Sequence, residues 1–227
     1  MDVSYADIRR GILGRGYSRI AVEGSIGVGK TSFARLVVKR LGGRLVEDRV
    51  DDNPFLERFY EDTGAYGFQT QLVFLMNRYK QQLALNQQDL FADLVVFDYV
   101  FARDRIFANV NLSDDELVLY ERVASELEAR VVRPDLVIYL QASAPVLFDR
   151  IQSRGRGYER SLSRDYLDAL NEAFNHYFFN YAAGPLLVVN TDAMDFVNDE
   201  RHFFDLVRRL AEPVVNTEFY VPTWETR

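Results

Sequence analysis

The chain has 227 residues, 48% of them hydrophobic, and a net charge of −7. That size and composition fit one folded α/β domain with a real core and exclude a disordered chain. The acidic balance speaks against a nucleic acid polymer as partner, no apolar run is long enough to span a membrane, and zero cysteines exclude disulfides and thiolate metal sites.

In chain order, the first ten residues lack the apolar stretch of a signal peptide, and the expected compartment is the cytoplasm. Five short runs rich in β-branched residues read as strands: 19–23, 44–47, 94–98, 136–140 and 186–190. They lack polar alternation, as strands buried on both faces of a parallel sheet do. Helical segments lie between them. Residues 30–41 follow the first strand, 53–62 and 67–86 the second, and 101–109 and 114–130 the third, with Ser113 as N-cap of the last. Residues 144–153 and 163–182 follow the fourth strand and 199–211 the fifth. Alternating strands and helices predict a three-layer α/β/α fold around a five-stranded parallel sheet. The segment from Pro213 onward has no helical period and is expected to run extended over the surface.

The pattern Gly-x4-Gly-Lys-Thr occurs between the first strand and its helix. Its residues are Gly24, Ser25, Ile26, Gly27, Val28, Gly29, Lys30 and Thr31, with Ser32 following. Glycines let backbone amides close around phosphate oxygens, and the helix that starts at Lys30 offers its positive end. Lys30 is expected to reach the β and γ phosphates of a triphosphate, and the Thr31 hydroxyl to bind Mg2+. The chain has 24 arginines and only three lysines, so a lysine at this position points to a need for a compact ammonium.

In such folds ligands bind beyond the carboxyl ends of the strands. Glu47 ends the second strand and Asp98 the third. Phosphorylating an alcohol needs a proton acceptor, for which Glu47 is the candidate, and a metal anchor, for which Asp98 is. Asp48, Asp51 and Asp52 crowd the same stretch. Farther on, Arg150, Arg154 and Arg156 lie in DRIQSRGRGYERS, where Gly155 and Gly157 interrupt a helix. Arginines on a lid near residues 150–162 would stabilise the transferring phosphoryl group and exclude water.

These motifs, with EGSIGVGKT, NPFLERFYED, a Gln-x6-Arg helix, Arg-x3-Arg-x-Arg-x2-Glu and NTDAMDF, resemble the deoxyribonucleoside kinases over nearly the whole chain, especially the bacterial deoxyadenosine/deoxyguanosine kinase branch. The resemblance implies roles residue by residue. Glu47 takes the proton of the 5′-hydroxyl, Gln71 pairs with the base edge, and Arg78 and Asp104 help choose the base. Tyr60 and Glu159 hold the 3′-hydroxyl, and Asp195 and Phe196 meet the donor's adenine. Gln71 and Arg78 share a helix face, which agrees with a common task. Phe68, Phe74, Tyr79, Phe101 and Phe107 read as core. Two positions depart from the animal members. Asp98 is followed by Tyr99 where they carry an arginine, leaving Arg103 or Arg105 to replace it, and Glu47 is followed by Asp48 where a proline is usual.

The resulting expectation is an ATP- and Mg2+-dependent homodimeric enzyme, of one domain, that phosphorylates a purine deoxynucleoside in nucleotide salvage. A nucleoside monophosphate kinase is the nearest rival. It needs a cationic site for its acceptor's phosphate, and the acidic cluster at 47–52 opposes one. A nucleotide-dependent protein switch would leave the lid arginines, Tyr60, Gln71 and Glu159 without a task.

Overall fold

The computed structural model describes residues 3–88 and 92–222. Six strands form one parallel sheet: β1 Arg19–Glu23, β2 Arg44–Val46, β3 Val95–Phe97, β4 Leu136–Gln141, β5 Leu186–Asn190 and β6 Thr217–Tyr220, in the order β2-β3-β1-β4-β5-β6. The sheet therefore has one strand more than expected. The sixth comes from the tail, where Leu186–Val189 of β5 pair in register with Thr217–Tyr220. Phe219 stays exposed at this edge, so the segment lacks the continuous apolar run that marked the other strands. Residues 223–227 of that tail lie outside the described residues.

The helices are α1 Tyr5–Gly14, α2 Lys30–Leu41, α3 Leu56–Glu61, α4 Thr63–Gln88, α5 Arg103–Asn111, α6 Asp114–Glu128, α7 Ala144–Arg154, α8 Arg164–Phe179 and α9 Glu200–Leu210. α1 was not expected. Its signals are local: Ser4 and Asp7 form a reciprocal capping box, and Ile8 and Ile12, one turn apart, are both buried. Ser113 and Glu116 cap α6 in the same way.

α1, α2 and α9 pack together on one side, where Phe33 and Phe203 meet edge to face. On the other, α4 packs against α5, α5 against α8 and α8 against α7, with α6 laid against α4 and α5. The main core runs between these layers through the sheet, including all of Leu136–Leu140. A small second core (Leu75, Ala108, Tyr120 and Ala124) joins α4, α5 and α6, and takes in Phe68 and Phe101.

Two glycines decide how the loop after β1 sits. Gly24 has φ 152°, and a Cβ there would lie 2.3 Å from the Leu140 carbonyl oxygen. Gly29 has φ 102°, and its Cβ would meet the Phe196 ring at 2.9 Å. Gly29→Ala is therefore expected to lower stability by about 1–3 kcal/mol, through the strained backbone and the displaced ring. Urea unfolding of the variant beside wild type measures it, and an unchanged midpoint would contradict this packing.

Candidate active site

The loop Gly24–Gly29 opens onto a cavity between α3, α4, α5 and the α7–α8 connection. Its space, counting the open mouth, comes to about 720 Å³. One end is formed by Ile26, Gly27, Lys30, Thr31 and Asp98. Lys30 Nζ donates to the Ser25 carbonyl at 2.9 Å, and burial, with Arg103 nearby, pushes its ammonium pKa down. Thr31 Oγ1 donates to Asp98 Oδ2 at 2.6 Å. Asp98 Oδ1 is buried without a partner, and burial raises the carboxyl's pKa. The described residues hold no cluster of three His, Cys, Asp or Glu side chains for a metal. A hydroxyl beside an unsatisfied carboxylate oxygen instead suits a hard cation that takes its other ligands from phosphates and water.

The other end is lined by Gln71, Phe74, Arg78, Asp104 and Phe107. Phe74 and Phe107 are thus cavity walls rather than core alone. Arg78 is 4% exposed. Its Nη1 donates to Asp104 Oδ1, and its Nε and Nη2 donate to Asp48 at 3.2 and 2.7 Å. The rings of Phe74 and Tyr99 flank the guanidinium at 5.0 and 5.4 Å. Gln71 Oε1 and Asp104 Oδ2 are buried acceptors without partners.

Glu47 does not line the cavity. β2 stops at Val46, and the Glu47 carboxylate turns outward to α2, where Arg35 Nε donates to it at 3.0 Å. Chain alternation sends the next side chain the other way, and Asp48 lines the cavity. Burial opposes ionisation of Asp48, but Arg78 and Arg103 outweigh it and hold the carboxyl below its usual range. The cavity carboxylate expected at 47 is therefore supplied by its neighbour. Glu23, for which no role is expected from the sequence, is fully buried. It accepts from the backbone of Gly24 and Val100 at 2.9 and 3.0 Å and from Arg103 Nη1 at 2.6 Å.

A third wall is the connection after α7, with a 3-10 turn at Gly157–Ser161. Arg154, Arg156 and Glu159 line the cavity, and Arg154 Nε donates to Glu159 at 3.2 Å. Tyr60 lies opposite, its hydroxyl pKa raised by burial. Tyr158, a residue without an expected role, stacks on Tyr60 at 5.7 Å, accepts from Arg156 and donates to Asp51. It joins this segment to the turn after β2.

Three expected site residues do not line this cavity. Arg150 faces backbone: it donates to the carbonyls of Val28, Thr191 and Met194, at 3.4, 2.6 and 3.1 Å. It ties the glycine loop to the loop after β5 instead of entering the cavity. Phe196 is buried against Gly29 and Phe33, so its ring supports the loop. Asp195 accepts from Asn198 in a local turn.

A family model described as deoxynucleoside kinase matches residues 20–216. The chain belongs to the deoxynucleoside kinase family. The kinase is 32% identical to a deoxyguanosine kinase of Bacillus subtilis over 86% of this chain and 97% of that one. It is 30% identical to a deoxyadenosine/deoxycytidine kinase of the same organism, over 87% and 93%. Among solved structures, deoxyadenosine kinase from M. mycoides with bound dATP superposes with a TM-score of 0.74 at 26% identity, covering 85% of this chain and 98% of that one. The kinase is thus an enzyme that phosphorylates deoxynucleosides, and its parallel sheet with flanking helices is that of its relatives.

Arg150→Met should release the tie between the two loops. About 1–3 kcal/mol of stability is expected to go with the unpaired carbonyls, and the KM for the phosphoryl donor should rise more than that for the nucleoside. Equal changes in both KM values would contradict a role confined to the donor side.

Proposed function

We propose that the enzyme transfers the γ-phosphoryl group of ATP to the 5′-hydroxyl of a purine deoxynucleoside, with Mg2+, as a salvage step in the cytoplasm. The whole chain acts as one kinase domain, with residues 150–162 as its lid. Lys30 and the amides of Gly24–Ser32 grip the donor's phosphates. Mg2+, held by Thr31 and Asp98, would supply charge neutralisation between the phosphates. Asp48 accepts the hydroxyl proton. It is ionised at neutral pH, and in a loose transition state the proton leaves late, so a weak base suffices. Tyr60 and Glu159 hold the 3′-hydroxyl, and Arg154 and Arg156 cover the phosphoryl group.

The observation that carries the base preference is the pair of unsatisfied acceptors, Gln71 Oε1 and Asp104 Oδ2. They call for a base that presents donors, and an amino group does so. Thymine has one ring N–H between two carbonyls and would set an oxygen against the Asp104 carboxylate. The names of the relatives, deoxyguanosine kinase and deoxyadenosine/deoxycytidine kinase, agree. Deoxyadenosine ranks first, with deoxyguanosine next and deoxycytidine as a side substrate.

A homodimer is part of this reading. Met76 and Leu83 on α4 lie seven residues apart on one helix face and are exposed, as are Val118 and Leu119 on the adjoining α6. Such an apolar surface suits a second copy.

Purified protein with Mg-ATP should release ADP in the presence of deoxyadenosine or deoxyguanosine and far more slowly with thymidine. Activity confined to thymidine monophosphate would overturn the reaction. Leu83→Glu combined with Val118→Glu should turn a dimer into a monomer by light scattering; a dimer that persists would move the interface elsewhere.

A further inference from the structure

The geometry points to Arg103 as a catalytic residue that binds the 5′ oxygen and the transferring phosphoryl group. This rests on the reaction proposed above and adds to it a cation fixed in the floor of the site.

Four arginines line the cavity. Arg78 is taken up by two carboxylates at the far end, and Arg154 by Glu159. Arg156 belongs to the same segment as Arg154 and bonds to Tyr158. Arg103 differs from all three. It is the first residue of α5, it is 7% exposed, and it lies at the end of the cavity that holds Lys30 and Asp98. Its Nε is 4.0 Å from Asp48 Oδ2, so a hydroxyl that gives its proton to Asp48 comes within reach of the same guanidinium. Lys30, Asp48 and Asp98 line the same cavity.

The side chain is also prepared for that task. Nη1 is bonded to Glu23, whose other bonds anchor it to the glycine loop and to Val100. The rings of Phe107 and Phe174 lie 5.2 and 5.8 Å from the guanidinium carbon. An arginine locked this way loses little freedom when it binds an anion, and in a dry site its hydrogen bonds to developing charge are strong. Arg105, two residues on, faces the other way and pairs with Glu121 and Glu128 of α6. Tyr99 is turned under Arg78 and donates to Gln81 at 2.9 Å.

In the step itself, the bond from the 5′ oxygen to the γ-phosphorus forms as the bond from that phosphorus to the β-phosphate oxygen breaks. The electron pair leaves on ADP, and the hydroxyl proton goes to Asp48. Arg103 keeps its protons and donates hydrogen bonds to the incoming oxygen and to a phosphoryl oxygen.

The test compares wild type, Arg103→Gln, Arg103→Lys and the double variant Glu23→Gln/Arg103→Gln, which removes both buried charges together. Calorimetry gives the affinities for deoxyadenosine and for deoxyadenosine 5′-monophosphate, and a coupled assay gives turnover. For Arg103→Gln, the monophosphate affinity should fall about 10-fold or more while deoxyadenosine affinity holds, and kcat should fall about 100-fold or more. Arg103→Lys should recover part of both losses, and the double variant should fold as stably as wild type and stay slow. A double variant with wild-type turnover would reduce Arg103 to a counter-ion for Glu23 and overturn the proposal. So would a monophosphate affinity that is unchanged, or that falls in step with the nucleoside's. Wild-type turnover of deoxyadenosine in the same assay tests the underlying reaction separately.

Discussion

One guanidinium, that of Arg78, organises the site. It sits between Asp48 and Asp104, both almost wholly buried, and between the rings of Phe74 and Tyr99. Three charges out of water are tolerable only when each is met by another at close range, and breaking such a group costs about 3–5 kcal/mol. That constraint ties the end of β2, the middle of α4 and the start of α5 to one another. It also fixes the distance between Asp104 and Asp48, the carboxylates proposed to meet the base and the 5′-hydroxyl.

The rest of the cavity follows from the parallel sheet. β1 lies between β3 and β4, so the loop after β1 and the ends of β2 and β3 open on the same edge. This brings Lys30, Thr31, Asp48 and Asp98 together from three different strand ends. Tyr158 then closes the mouth against Tyr60 and Asp51. Catalysis in such a site comes from positioning and from charge placed in advance, because the phosphoryl group itself needs little covalent help.

Much of this was legible in the sequence. The glycine loop, five of the six strands and the start of α2 announced themselves through residue types whose geometry is local. Gln71, Arg78, Tyr60, Asp104 and Glu159 do meet in one cavity. The side that each residue faces is less legible. Neighbours in an extended chain point opposite ways, so Glu47 pairs with Arg35 while Asp48 lines the cavity. Arg150 points at backbone carbonyls. Only tertiary contacts decide whether an arginine meets a phosphate or a ring of carbonyls. The sixth strand was missed because half its surface stays wet, and α1 because its signal is a cap and two isoleucines rather than a long apolar stripe.

The measurement that bears most directly on this arrangement is nucleoside phosphorylation by Asp48→Asn and Glu47→Gln proteins, side by side, with nucleoside binding followed by calorimetry. Asp48→Asn should lose turnover by about 100-fold or more, while Glu47→Gln keeps wild-type turnover. A Glu47→Gln protein that binds nucleoside yet fails to turn over, beside an active Asp48→Asn, would contradict the assignment of the buried carboxylate.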